Sequence, residues 1–181
     1  MKSLVAVLTL MALVAAPQLQ AAETAPDWAL RNADGEPVRL SREVEEQPVI
    51  LFFWATWCPY CKALMPHLQS IRLEYGDKLK ILAIGIRDPK GDPVGYVEKQ
   101  GYDFIVLPGG DAVAELYGIF ATPGVIVVDS ERIMRWDLRA LPPLELSDDV
   151  LEARHSRRAA HRAPYWAAEL RKALDELLAT D

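Results

Sequence analysis

Apolar residues fall into three kinds of run along this chain, and each kind predicts a different element. Leu4 to Ala16 (LVAVLTLMALVAA) is a continuous apolar stretch broken only by Thr9. It follows Met1-Lys2 and is followed by Pro17 and the small pair Ala21-Ala22, which is the pattern of a secretory signal peptide over residues 1–22. The stretch is shorter than the roughly 20 residues a spanning helix needs, and an uncleaved N-terminal anchor stays open as the alternative. No Cys lies near the cleavage region, so the segment does not read as that of a lipoprotein.

The second kind is the short unbroken run. Val49-Ile-Leu-Phe-Phe-Trp54 follows Pro48 without any polar alternation, as in a central strand buried on both faces. Leu79 to Ile86 (LKILAIGI) reads as a second buried strand and Phe104 to Leu107 as a short one. Val125 to Val128 (VIVV) reads as a strand that ends at Asp129-Ser130 and pairs with Ile133 to Trp136 in a hairpin.

The third kind has helical spacing. Cys61, Leu64, Met65, Leu68, Ile71 and Tyr75 recur on one face after Pro59; Pro66 predicts a kink and Gly76 an end. Short helices are predicted for Val94 to Gln100, after the loop Asp88 to Pro93, and for Asp111 to Tyr117. Pro164, followed by Trp166, Leu170, Ala173, Leu174 and Leu177, marks an amphipathic C-terminal helix opening at that proline. Strands alternating with helices, then a hairpin and a last helix, give an α/β fold with a central sheet flanked by helices. The expected division is one domain over residues 23–137, and a segment over 138–181 whose charged linker and final helix pack on the same domain.

Charge narrows the function. The net charge is −6, and −7 once residues 1–22 with their single Lys are removed. An acidic chain without a long basic run offers little to nucleic acid or to an anionic membrane. The one basic cluster, Arg154, His155, Arg157, Arg158, His161 and Arg162, reads as a solvated face, with a docking surface for an acidic partner as the sharper alternative.

Only two cysteines occur, Cys58 and Cys61. A disulfide that encloses two residues removes little chain entropy, so it is a poor staple. Chemistry explains the pair better. A dithiol that shuttles electrons needs one exposed thiol that ionises readily and a second thiol close by to resolve the mixed disulfide. Placed between a buried strand and a helix, Cys58 sits where the helix N-terminus favours a thiolate, and Cys61 lies one turn inside. Pro59 occupies the first helical position, where a missing N–H costs nothing. A zinc site lacks a second Cys pair, and His67, His155 and His161 have no motif spacing to the cysteines. Haem attachment would need His at position 62, which is Lys. No metal and no cofactor beyond the Cys58–Cys61 disulfide is expected.

The segment Phe53-Trp-Ala-Thr-Trp-Cys58-Pro-Tyr-Cys61-Lys62, with Pro66 five residues on, resembles the active-site segment of thioredoxin-fold proteins. It is most similar to the TlpA-like periplasmic oxidoreductases, including those serving cytochrome c maturation. The resemblance runs from about Ala25 to Trp136 and implies a thioredoxin-like fold with an insertion, around Asp88 to Gln100, before a cis-proline, and a helical extension at the C-terminus. It implies that Pro123 in Ala121-Thr122-Pro123-Gly124 is that cis-proline, facing the dithiol, and that Thr122 offers backbone groups to an extended substrate strand. It also implies a substrate-binding role for Trp57, Pro59 and Tyr60 beside the cysteines. Trp57 is expected on an apolar docking rim and Trp54 in the core. Ile119-Phe120 is a candidate extension of the rim, with core packing of Phe120 equally open.

Two positions depart from the family pattern. The buried acid that thioredoxins carry six residues before the first Cys is Phe52 here, and the Glu that some maturation reductases carry three residues after the second is Leu64. Proton handling then falls to water or Lys62. The Pro-Tyr dipeptide is the one found in glutaredoxins, but Asp129-Ser130-Glu131 stands where their glycine pair would be. The expected function is disulfide exchange with exported proteins, in the reducing direction by resemblance, with a membrane thiol-reducing donor as electron source. Disulfide donation remains open, as does a binding module or chaperone without turnover. No Thr-x-x-Cys placement of the peroxiredoxin kind is present.

Overall fold

Strand β3 (Val49–Trp54) is buried at every position because its two faces serve two cores. Successive side chains of a strand point to opposite faces, so Ile50, Phe52 and Trp54 enter one cluster while Val49, Leu51 and Phe53 enter the other. That double burial removes polar alternation from the sequence. The computed structural model describes residues 23–179, and the signal-peptide reading of residues 1–22 lies outside them.

The central sheet has the order β5-β4-β3-β6-β7. Strand β4 (Lys80–Gly85) runs parallel to β3, with Phe52 opposite Ala83, and β5 (Ile105–Leu107) runs parallel to β4. Strand β6 (Gly124–Val128) is antiparallel to β3, with Phe53 opposite Gly124, and β7 (Met134–Asp137) closes the hairpin. At the hairpin turn the buried carboxylate of Asp129 accepts hydrogen bonds from the N–H groups of Glu131 and Ile133 and pairs with Arg135. This is the mixed sheet the resemblance implies.

Helix α2 (Pro59–Tyr75) lies on one face and buries Cys61, Leu64, Met65, Leu68 and Ile71, the stripe that the spacing predicts. It is one element through Pro66, whose ring is on the exposed side. Gly76 ends it with φ +55°, a left-handed conformation natural to glycine, and its N–H donates to the Arg72 carbonyl. On the same face α3 (Pro93–Gln100) starts at Asp92, whose carboxylate accepts the Gly95 N–H at 2.9 Å.

Helix α6 (His155–Leu178) corrects the expected start at Pro164, which lies inside it. The buried face begins five residues earlier: Ala159, Ala163, Ala167, Leu170 and Leu174 repeat at helical spacing, and all but Ala159 join the core under α2. Small residues at the contact let the two backbones approach, and that packing outweighs the proline. The hydrogen bond lost at Pro164 would have gone to the Ala160 carbonyl; both residues are exposed, so water can take its place. Before α6, a single 3-10 turn (Leu138–Ala140) and α5 (Asp148–Leu151) occupy the charged segment.

The opposite face carries elements that the hydrophobic pattern did not predict. The hairpin of β1 (Ala29–Arg31) and β2 (Pro37–Arg39), with α1 (Leu40–Glu43), covers the second core, alongside α4 (Asp111–Leu116), the helix that was expected there. Buried Trp28 donates its indole N–H to the Tyr117 hydroxyl at 3.2 Å. Among the described residues, no helix is long and apolar enough to cross a membrane.

Candidate active site

Chain direction alone puts the cysteines at the helix mouth. β3, the central strand, ends at Trp54, the chain turns through Ala55 to Trp57, and α2 begins at Pro59. The Cys58 N–H closes that turn on the Ala55 carbonyl at 3.1 Å. Cys58 is the N-cap of α2 with extended backbone angles, and its Sγ accepts the Cys61 N–H at 3.1 Å. Sulfur there occupies the place a Ser or Asp oxygen takes in an ordinary cap. The first sulfur therefore accepts a helix N–H and lies at the positive end of the helix, where a thiolate is stabilised. The two cysteines are joined by a disulfide, with Cα atoms 5.3 Å apart.

Cys58 differs from expectation in exposure: it is 2% exposed, against 0% for Cys61. In the disulfide state the reactive sulfur sits almost as deep as its partner. Around Cys61 the neighbours are apolar, Phe52 and Leu64 included. Asp129 is the one buried charged residue among the described residues, and it lies at the β6–β7 turn, not in the cluster around Cys61. Lys62 holds its ammonium over the Tyr96 ring, 5.2 Å from the centroid. Trp54 is fully buried as expected, stacked on Phe52 and tilted against Tyr96, with its indole N–H unpaired.

One flank of the pair is tied by hydrogen bonds. The Thr56 N–H donates to the Asp88 carboxylate at 2.6 Å, and the Trp57 indole donates to the Arg87 carbonyl at 2.9 Å. Arg87 in turn donates its N–H to Asp111 at 2.8 Å and its guanidinium to the Phe120 carbonyl at 2.5 Å. It does so with φ +51°, a conformation uncommon for a residue with a side chain. Arg87 and Asp88 thus fasten the cysteine loop to the loop that leads to Pro123. Trp57 is 59% exposed and Phe120 67%, so both stand on the rim; Ile119 is buried.

The Thr122–Pro123 peptide is cis, the conformation the resemblance implies. Gly124 follows at the start of β6, where a Cβ would come within 2.9 Å of the Ile119 side chain and 3.3 Å of Phe53; only glycine lets the loop sit this close to β3.

The other flank is aromatic and cationic. The Tyr60 ring meets His155 edge-on at 5.9 Å and Trp166 at 6.2 Å, both on α6. A cleft of about 340 Å³ is lined by Tyr60, Thr122, Pro123, Arg162 and Trp166. Sequence reasoning placed the Arg-rich stretch without linking it to the cysteines, and it missed Arg87 and Asp88. Contacts between residues some thirty positions apart leave no local signal, whereas the four-residue Ala spacing that seats α6 was available to be read.

Among the described residues, no group of three or more His, Cys, Asp or Glu side chains is arranged to hold a metal ion. A model of the AhpC/TSA family matches residues 21–137. The chain is 34% identical over 112 residues to the thiol-disulfide oxidoreductase ResA of Halalkalibacterium halodurans, covering 61% of this chain and 63% of the relative. It is 32% identical over 126 residues to a thiol:disulfide interchange protein DsbE homolog of Paracoccus denitrificans, covering 66% of this chain and 67% of the relative. The chain thus spans less than two thirds of that ResA relative's length. Among solved structures, a putative DsbE from Chlorobium tepidum superposes with a TM-score of 0.58 at 24% identity, over 64% of this chain and 82% of the other. That likeness shows the thioredoxin-like fold.

Proposed function

The chain belongs to the AhpC/TSA family, and on that premise we propose that it is an exported thiol–disulfide oxidoreductase that reduces disulfides of other exported proteins. The observation that carries this reading is Cys58 Sγ as the cap of α2, accepting the Cys61 N–H at 3.1 Å, with Tyr60 of the same turn sharing a cleft with Thr122 and the cis Pro123.

In the reducing direction the Cys58 thiolate attacks one sulfur of a substrate disulfide. A Cys58–substrate bond forms, and the substrate's other sulfur leaves as a thiolate that takes a proton from solvent. Cys61, having lost its proton, then attacks the Cys58 sulfur and releases the second substrate thiolate. Two electrons have passed to the substrate, and the pair ends as the disulfide seen here. A membrane thiol donor returns the electrons by the same exchange in reverse. With Phe52 and Leu64 at the positions where relatives carry acids, water accepts the Cys61 proton, and resolution is the step this chain assists least. Trp57, Pro59 and Tyr60 frame the attacking sulfur, and Thr122 and Pro123 receive the extended substrate.

Residues 1–22 act as the export signal and place the protein in the periplasm, where cytochrome c maturation is one use for such a reductase. Residues 23–137 form the domain, and 138–181 an extension packed on it.

The reduction potential of the Cys58–Cys61 pair, measured by equilibration with thiol buffers, tests the reading. A value near or below about −270 mV supports a reductase; one near about −120 mV makes disulfide donation the better reading. Failure to form the bridge overturns both. Cys58→Ser is expected to reduce exchange to the uncatalysed background, and an undiminished activity in that variant would leave only a binding role.

A further inference from the structure

The basic stretch singled out in the sequence has a place in the fold that the exchange chemistry does not use. Arg158 and Arg162 lie one turn apart on α6, with His155 and Trp166 on the same side of the helix. His155 and Trp166 pack on Tyr60, so this side of α6 faces the cysteine pair, and Arg162 lines the cleft that reaches Thr122 and Pro123. Leu141 to Leu144 line the same cleft, with Pro142 and Pro143 exposed.

The two arginines are unlike the others nearby. Arg139, also on the cleft, is fully engaged: its guanidinium pairs with Asp137 and donates to the Tyr117 and Gly118 carbonyls. Arg157 pairs with Asp149 at 2.9 Å. Arg158 and Arg162 are half-buried, each with its Nε shielded from solvent and without a hydrogen-bond partner. Among the described residues no carboxylate lies within ion-pair distance of either one. A shielded, unpaired cationic donor is costly, and a carboxylate supplied from outside would meet it with a charge-assisted hydrogen bond. The chain as a whole is acidic, at −6, so a local cationic wall beside the site is what would let an acidic segment approach.

We propose that the cleft selects substrate proteins in which an acidic residue flanks the target cysteine, the extended segment lying along Thr122–Pro123 with its carboxylate received by Arg162 and, one turn away, Arg158. This rests on the oxidoreductase reading and names the substrate class of that same site. Thr122 lies outside the β3–β6 ladder, which ends at the Phe53–Gly124 pair, so an incoming strand can run beside it. Leu141, Trp166 and Tyr60 supply an apolar lining, and the arginines supply the sign.

The test compares two short disulfide-bearing peptides that differ only in Asp or Asn beside the cysteine, each reacted with the reduced full-length protein. Tryptophan fluorescence gives the second-order rate constant. The Asp peptide is expected to react about tenfold faster at low ionic strength, as one charge-assisted contact implies, and the advantage should shrink as salt rises. In Arg158→Gln/Arg162→Gln the ratio of the two rates should fall to near one. Should that variant not fold, Arg162→Lys, which keeps the charge but loses the planar fork, should lower the ratio part of the way. Equal rates in the unaltered protein, or a preference that survives the double substitution, would overturn the proposal and leave the exchange chemistry standing. If neither peptide reacts, the oxidoreductase reading itself fails and this proposal with it.

Discussion

On the Trp57 side of the cysteine pair, the Thr56 N–H, the Trp57 indole and both ends of Arg87 are each held by a hydrogen bond. On the Tyr60 side, contact is made by rings, and two arginines of α6 on that side, Arg158 and Arg162, keep an unpaired Nε. The same loop thus has one flank that is satisfied internally and one that has capacity to spare. A satisfied network fixes geometry, because each member holds the next in place. An unsatisfied one costs stability and remains available to a ligand. The first flank aligns the cysteine loop with the Pro123 loop, and the second is where a partner's chemistry can be distinguished.

The largest stability effect is expected where the fixed flank is cut. Asp88→Ala leaves the Thr56 N–H, which is partly buried, without its acceptor. The expected loss is about 1–3 kcal/mol, or roughly 2–4 °C in Tm for each kcal/mol in a chain of this size. Thermal and urea unfolding of the oxidised protein would measure it. The exchange rate should fall as well, because the loop carrying Cys58 loses its tether. A variant as stable and as fast as the parent would break the contrast between the flanks.

A smaller effect is expected from the aromatic flank. Tyr60→Ala removes two ring contacts to α6, each worth about 0.5–1.5 kcal/mol in a well-formed pair. Tyr60 is only half-buried, so a total near 1 kcal/mol is expected by urea unfolding. Amide hydrogen exchange sharpens the comparison: protection should fall in the first turns of α6, from His155 to Trp166, and hold at Trp57. Equal loosening at both places would mean that the two flanks are one unit.

How far such a contrast can be read from sequence depends on how local its causes are. The strand, the N-capping cysteine and the stripe from Cys61 to Ile71 depend on periodicity and on immediate neighbours, and they are legible. Pro123 was marked by its Thr-Pro-Gly setting and by resemblance, not by any pattern in the apolar residues. The fixed flank is carried by Asp88 and Arg87, thirty or more residues from the groups they hold, and by a left-handed residue that is not glycine. Nothing local announces either. At α6 two local signals disagreed: Pro164 marked a start while Ala159, Ala163 and Ala167 marked a continuing face, and tertiary packing decided for the face. A direct consequence is that Pro164→Ala should stabilise the chain by about 1–2 kcal/mol in urea unfolding, restoring a helical hydrogen bond at an exposed position at the cost of some unfolded-state entropy.

The smallest effect tests the seat of α6, which carries the unsatisfied flank. His67 lies on α2 among residues facing α6; Arg171 of that helix donates to Glu74 at 2.7 Å and to Ser70 at 3.1 Å. Burial, and then the positive charge of Arg171, hold the His67 imidazole below its ordinary value of 6.5. Between that depressed value and 6.5 the unfolded chain binds a proton that the folded chain refuses, so folding stability rises with pH across the interval. The contribution is complete above pH 6.5 and is lost as pH falls through the folded value. Acidification should therefore loosen α6, and with it the arginines beside the cleft, while Thr56 and Trp57 keep their partners. In His67→Gln, urea midpoints taken on either side of pH 6.5 should show a flatter dependence than in the parent. An unchanged slope would mean that the α2–α6 contact does not feel this proton, and that the cationic flank is seated as firmly in acid as at neutrality.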